Sequence, residues 1–466
     1  MNPKRNQSLD VLRGLAIVGM ILSGSIAFGD TMPAWMHHAQ VPPPNFVFNP
    51  QLAGITWVDL VFPFFLFTMG AAMPLAASPK TDFSFLKTIL DLSKRFFLLA
   101  WFALFLEHVK PFSLANSPTV WHCVISIVGF GLLWLMYARA IKLPLKIAAF
   151  VASVGLVLSL TYRDGSGFKL ERNDIIILVL ANMALFGGLI YHLSRHNVWL
   201  RLAVLPFLLG LILANSPHGT GGTAGWQVEL TKFLPVKVLY NFNFLKYLFI
   251  VLPGTFAGEW IVQQSNDNSL VATPSVKKRF EVILLLILVL SLPVVNLICL
   301  FTRQVSLNLC LNLLAMAFIF FLIQRLKTEL SDFVKKATHV GTYLLLLGLT
   351  FETLQGGIKK DNATFSYFFV TSGLAFFILL ALELLEKLEI LRGLRHFFKQ
   401  LGQNPMVAYV AGSLLITPIL RITTLENYWV MLDGNPWLGL LKGVTFTAAV
   451  AAVTILTVRK GWFWKT

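Results

Sequence analysis

The chain has 466 residues, 56% of them hydrophobic and 13% charged, with a mean hydropathy of +0.72. A soluble globular chain is nearer a quarter charged, so these values exclude a soluble enzyme and specify a polytopic membrane protein. The net charge of +16 does not imply nucleic acid, because the Lys and Arg residues sit in short loops between apolar runs, where they orient helices. No basic helix or aromatic-interleaved basic patch is left over to bind it.

At the N-terminus, Lys4 and Arg5 precede an apolar stretch from Val11 to Phe28, the outline of a signal peptide. Asp10 and Arg13 interrupt the pattern and no small-x-small cleavage site follows, so the segment reads as a retained first transmembrane helix. A span needs about 20 apolar residues at a rise of about 1.5 Å each. The windows that qualify are 9–29, 55–77, 93–110, 119–138, 143–162, 174–193, 198–215, 244–262, 280–302, 305–323, 338–355, 366–386, 404–423 and 437–458. Several are short or closely spaced, so the expected fold is all-α, a polytopic transmembrane helix bundle of about 12–14 spans. It is read as one integral-membrane domain over residues 1–466, since the longest loops, 30–54 and 216–243, are too short for another.

With the N-terminus inside, most of the 38 Lys and Arg residues fall in inside segments, among them Lys94, Arg95, Lys277, Lys278, Arg279, Lys335, Lys336, Arg392, Arg395 and Lys399. That bias places both termini in the cytoplasm, as an even number of spans requires. The topology then sorts the unusual residues by side. His37, His38, Asp59, Glu107, His108, His122, Glu352, Lys359, Lys360 and Asn362 come near the outer face, and Asp10, Arg13, Glu259 and Asn404 near the inner face. Two polar clusters at opposite faces suit an enzyme that takes one substrate from each side. They equally suit a transporter of small solutes.

The stretch Pro33–Gly70, PAWMHHAQVPPPNFVFNPQLAGITWVDLVFPFFLFTMG, carries the adjacent His37 and His38 without a single Lys or Arg. A hydrophobic run follows with one carboxylate, Asp59, near its first turn. A carboxylate at bilayer depth costs about 2.5–3.5 kcal/mol on insertion scales, less near the interface. One reading is a His–Asp constellation in which His38 is a general base and Asp59 fixes its tautomer and stabilises the imidazolium. The other is an interfacial loop of solvated histidines, with Asp59 as a helix-start residue favoured by the helix dipole. No Ser or Cys stands at nucleophile-elbow spacing, and His37, His38 and Asp59 form no recognisable zinc pattern, so no metal is expected.

Asp10 and Arg13 are three apart on one helical face, and form either a structural ion pair or a site where Arg13 meets a phosphate from the cytoplasm. His108 and His122 read as interfacial and solvated. Glu259 and Glu352, near span ends, either line a cavity or reach water. Arg303 is expected to cap a tight outer turn. The GTGGTAG run at Gly219–Gly225 lacks the GK[ST] ending of a phosphate loop and follows no strand, so it reads as a flexible loop. Cys123, Cys299 and Cys310 fall inside apolar runs without metal or redox spacing and read as buried, inert thiols.

At SLDVLRG (Ser8–Gly14), HHA (His37–Ala39) and GITWVDLVFPFFLFTMG (Gly54–Gly70) the chain resembles the bacterial relatives of heparan-α-glucosaminide N-acetyltransferase. KKDNATFSYFFVTSGLAFFILL (Lys359–Leu380) and GQNPMVAYV (Gly402–Val410) extend the resemblance, while the middle third matches only loosely. The resemblance implies an integral-membrane acyltransferase that passes acetyl from cytoplasmic acetyl-CoA to the amine of a glucosamine-type sugar on the outer side. It implies His38, followed by Ala39, as the catalytic histidine and Asp59 as its partner, with Arg13, Asp10, Lys360, Asn362, Asn404 and Glu352 around the substrates. It further implies a bacterial inner-membrane location and is compatible with a homodimer. The chain departs from the pattern at the insert VPPPNFVFNPQL, at Gly24 where the animal enzyme has Asn, and at Ala363 where it has Trp. Ser23 or Ser25 are the candidates to replace the hydrogen bond of that Asn.

Overall fold

The computed structural model describes residues 6–28, 32–77, 85–214, 238–266, 278–327 and 330–465. Lys4, Arg5, Lys277 and the Gly219–Gly225 run lie outside them. The described residues are helical, without a β-strand. The principal helices are α1 (Gln7–Ser23), α2 (Trp57–Ala76), α3 (Phe85–Val109), α4 (Val120–Tyr137), α5 (Leu143–Ser159), α6 (Ile175–Ser194), α7 (Val198–Ala214), α8 (Leu248–Asn266), α9 (Arg279–Phe301), α10 (Val305–Arg325), α11 (Asp332–Phe351), α12 (Phe365–Lys387), α13 (Arg392–Gln403), α14 (Pro405–Ile422) and α15 (Pro436–Arg459).

Every window expected from the sequence is occupied by a helix. Nine helical stretches among the described residues are long and apolar enough to cross a membrane, and α5 and α7 are shorter apolar helices. The protein is an integral membrane protein with an all-α, polytopic fold. The other windows are filled by α1, which is 17 residues long, and by α3 and α11. Both of these begin with charged turns: Lys87, Asp91, Lys94 and Arg95 in one, Asp332, Lys335 and Lys336 in the other.

The chain divides into two compact units. The first comprises residues Met1–Ser78, Phe249–Pro405 and Leu432–Ala448. Its centre is α12, predominantly apolar and buried along most of its length. Phe365, Phe368, Phe376 and Phe377 are buried, and α12 packs against α1, α2, α9 and α11. Lipid tails are as apolar as these side chains, so close packing and internal polar bonds, rather than exclusion of water, hold such helices together. The GTFAG pattern of α8 shows the packing. A Cβ on Gly254 or Gly258 would collide with the carbonyl oxygens of Phe67 and Ala71, so glycine is what lets α2 lie backbone to backbone against α8. The same holds between α1 and α13, where a side chain at Gly14 or Gly402 would strike the Phe398 or Asp10 carbonyl. Polar closure is seen in the α9–α10 hairpin. Asn296, Asn308 and Asn312 are fully buried and bond to one another at 2.8–3.4 Å, which leaves no carboxamide facing lipid unpaired.

The second unit comprises Pro79–Leu248, Met406–Met431 and Ala449–Thr466. Here α3 packs on α6, and α4 on α5 and α14. His108, expected to be solvated, is fully buried. Its Nδ1 lies 2.7 Å from the Leu104 carbonyl, and its ring stacks on Phe168 and meets Tyr162 edge-on. It closes the α3 terminus over the 160–174 loop. His122 accepts the Thr119 N–H at 3.0 Å and so marks the start of α4. Cys123 is buried, as is Cys299 of the first unit, but Cys310 is exposed on the outward face of α10.

Candidate functional site

The site lies in the first unit, at the start of α2. Thr56 is the N-cap residue, in an extended conformation at φ −116° and ψ 177°, and Asp59 is three residues on. The Thr56 N–H donates to Asp59 Oδ2 at 2.9 Å, the carboxylate half of a capping box, and the Ala39 N–H donates to the same oxygen at 3.3 Å. The helix dipole adds to the stabilisation of the negative charge. With Oδ2 so occupied, Oδ1 turns to the His38 ring and lies 2.6 Å from Nδ1. An ionised carboxylate only accepts, so Nδ1 carries the proton and Nε2 presents its lone pair. Asp59 is 1% exposed and the His38 side chain 38%, which places the fixed charge inside and leaves part of the imidazole accessible.

The surrounding bonds lock this arrangement. Thr56 Oγ1 donates to the His37 carbonyl at 2.7 Å, tying the histidine loop to the helix start. Tyr367 of α12 donates its phenol to the Asp59 carbonyl at 2.8 Å, anchoring that turn to the core. Lys360 arrives from the loop before α12, its Nζ 3.2 Å from His38 Nδ1 and 3.3 Å from Nε2. With Nζ almost equidistant from the two nitrogens, the ammonium lies against the ring rather than along the lone pair of either one. Gln40 bonds to the main chain of Asp361 in the same loop.

The two histidines have opposite fates. His37 is 3% exposed, and neither ring nitrogen has a hydrogen-bond partner. Its ring packs against Phe28 and Phe46, with centroids 5.2 and 4.9 Å away. Burial and the neighbouring His38 hold its pKa below the usual histidine value, so it is a neutral packing ring.

Of the other residues expected around the substrates, Lys360 alone touches His38. Glu352 is buried, ion-paired with Arg303, and accepts from Ser366 Oγ at 3.1 Å. Asn362 is an exposed turn residue at φ 53°, where Asn is tolerated. Asp10, Arg13 and Asn404 sit apart from His38. Arg13 lies 3.4 Å from Asp10 and donates to the carbonyls of Gly402 at 3.3 Å and Thr68 at 3.4 Å, so its contacts favour the ion-pair reading over the phosphate one. Asn404 is fully buried just beyond α13. The serines flanking Gly24 do not reach the site, since Ser23 and Ser25 donate to the Met20 and Ile21 carbonyls at 3.0 and 2.7 Å. Among the described residues no group of three or more His, Cys, Asp or Glu could hold a metal ion.

Sequence reasoning missed Thr56, Gln40 and Tyr367. Thr56-x-x-Asp59 carries a capping-box signal that could have been read. Gln40 and Tyr367 act across more than 300 residues of sequence, and neither shows a local signal.

No curated protein matches the chain. The profile of one family does, over residues 5–261, a range that includes His38, Gln40 and Asp59 but ends before Lys360. The chain therefore belongs to the family described as a domain of unknown function, DUF5009.

Proposed function

We propose that the protein is a bacterial inner-membrane N-acetyltransferase, which moves acetyl from cytoplasmic acetyl-CoA to the amine of a glucosamine-type sugar outside. The observation that carries this reading is the 2.6 Å pair of buried Asp59 with the partly exposed His38 ring. An acceptor amine attacks the thioester carbonyl, the C–N bond forms, and the C–S bond breaks to release CoA thiolate. His38 Nε2 takes the proton shed by the nitrogen and returns it to the thiolate. Asp59 stabilises the imidazolium formed between those steps. Lys360, whose ammonium lies against the His38 ring, is the cation that would meet the oxyanion developing on the carbonyl.

In this reading the thioester reaches His38 at the start of α2 while the CoA phosphates stay at the cytoplasmic face. The basic bias of the loops assigns that face to the cytoplasm and both chain termini with it.

The test is release of free CoA from acetyl-CoA by the purified protein, with and without glucosamine. Release that requires glucosamine and matches N-acetylglucosamine formed supports the reading. Movement of glucosamine into vesicles without acetylation would overturn it in favour of a transporter.

A further inference from the structure

We infer that Gln40 is a positioning residue for the reaction proposed above, holding the Lys360 loop so that the Lys360 ammonium meets His38. The kinetic consequence rests on that reading, but the geometry does not. Gln40 is 2% exposed. Its Nε2 donates to the Asp361 carbonyl at 3.1 Å, and the Asp361 N–H donates to its Oε1 at 2.8 Å. The side-chain amide thus pairs with one residue's main chain in both directions, as a neighbouring strand would.

Asp361 follows Lys360 directly. A lysine stem has four rotatable carbons and loses much rotamer entropy when held, so its ammonium stays against an imidazole only where its own backbone is fixed. Before Lys360, the Gly54 N–H donates to the Ile358 carbonyl at 2.8 Å, and Lys359 exchanges hydrogen bonds with Thr364 at 3.1 and 3.2 Å. After it, the Gln40 clamp holds Asp361. Gln40 is itself anchored, because its carbonyl accepts from Asn49 N–H at 2.9 Å and it stands two residues from His38. Gln40 therefore ties the backbone of the cation to the loop of the base. Glutamine suits the role because it offers a donor and an acceptor in one plane. Glutamate can only accept, and keeps half of the clamp.

The test uses the full chain in detergent, as wild type, Gln40→Met, Gln40→Glu, Lys360→Met and Gln40→Met/Lys360→Met. The first readout is the rate at which diethyl pyrocarbonate modifies His38, followed by peptide mass spectrometry. This reagent attacks a ring nitrogen of His38, against which the Lys360 ammonium lies. Lys360→Met should speed modification severalfold, Gln40→Met should do the same, and the double variant should be no faster than either. Gln40→Glu should fall between wild type and Gln40→Met, and it serves alone if Gln40→Met does not fold. The second readout is transfer. Gln40→Met should lower kcat about ten- to a hundredfold, the scale of a misplaced catalytic group, with KM for acetyl-CoA unchanged. A wild-type modification rate in Gln40→Met, or rate effects that multiply in the double variant, would overturn the inference. If no protein transfers acetyl, the reaction reading fails while the modification rates still decide the role of Gln40.

Discussion

Two carboxylates with basic partners border α2, and they are built differently. At its first turn His38 meets Asp59 at 2.6 Å, and the histidine side chain is 38% exposed. On α1 Arg13 meets Asp10 at 3.4 Å, is 15% exposed, and also donates to two main-chain carbonyls from α2 and α13. A group that does chemistry needs access to the substrate, and the partly exposed His38 ring keeps it. A group that joins helices spends its donors on the protein, as Arg13 does. The contrast sets a partly open pair at the start of α2 against a pair bonded into the framework on α1.

The largest effect that can break this contrast is on transfer. His38→Ala should lower acetyl transfer by at least about two orders of magnitude, within the range a general base contributes, while acetyl-CoA still binds. Asp59→Asn should approach that loss, because it removes the charge that stabilises protonated His38 and turns a donor toward Nδ1 or Thr56. His37→Ala should lose far less, since His37 faces two phenyl rings.

An intermediate effect sharpens the Asp10–Arg13 half. Arg13→Ala and Asp10→Ala should each destabilise the protein by about 1–3 kcal/mol, because each removes a charged hydrogen-bonding group from the α1 packing surface. The double variant should cost less than the sum, with CoA affinity unaltered in all three. Thermal unfolding and acetyl-CoA binding measured on the same samples check this. A tenfold loss of CoA affinity in Arg13→Ala with unchanged stability would return Arg13 to phosphate binding.

The smallest effect concerns His37. Its folded pKa lies below the usual value of about 6.5. The unfolded chain therefore takes up a proton first as pH falls, so the stability His37 contributes is fully present above about 6.5 and lost below it, down through the folded pKa. His37→Phe should flatten the decline of Tm between neutral pH and pH 5, while activity at neutral pH stays close to wild type. An unchanged slope would mean that the buried ring is not what titrates.

The helices were legible because long apolar runs have few alternatives in a membrane. Their ends were less so. α3 begins at Phe85 and α11 at Asp332, ahead of their apolar runs, because Lys and Arg stems continue a helix into the interface with the charge in water. The His38–Asp59 pairing was legible from the HHA and DLVFP blocks. Which ring of two adjacent histidines turns inward was not legible from spacing, since Phe28 and Phe46 that bury His37 come from either side of it. The burial of His108 was hidden for the same reason, its cover being a loop some 60 residues on. Gln40 carries no periodic signal at all, and only the folded chain brings it to Asp361.

The most direct test of the central claim is transfer in vesicles loaded with acetyl-CoA, with the protein oriented so that the His37–Gln51 loop faces outward and glucosamine is added outside. Wild type should form N-acetylglucosamine outside and free CoA inside in equal amounts, and His38→Ala should form at most about a hundredth as much. Equal product from His38→Ala, or glucosamine entering the vesicles unacetylated, would contradict the account.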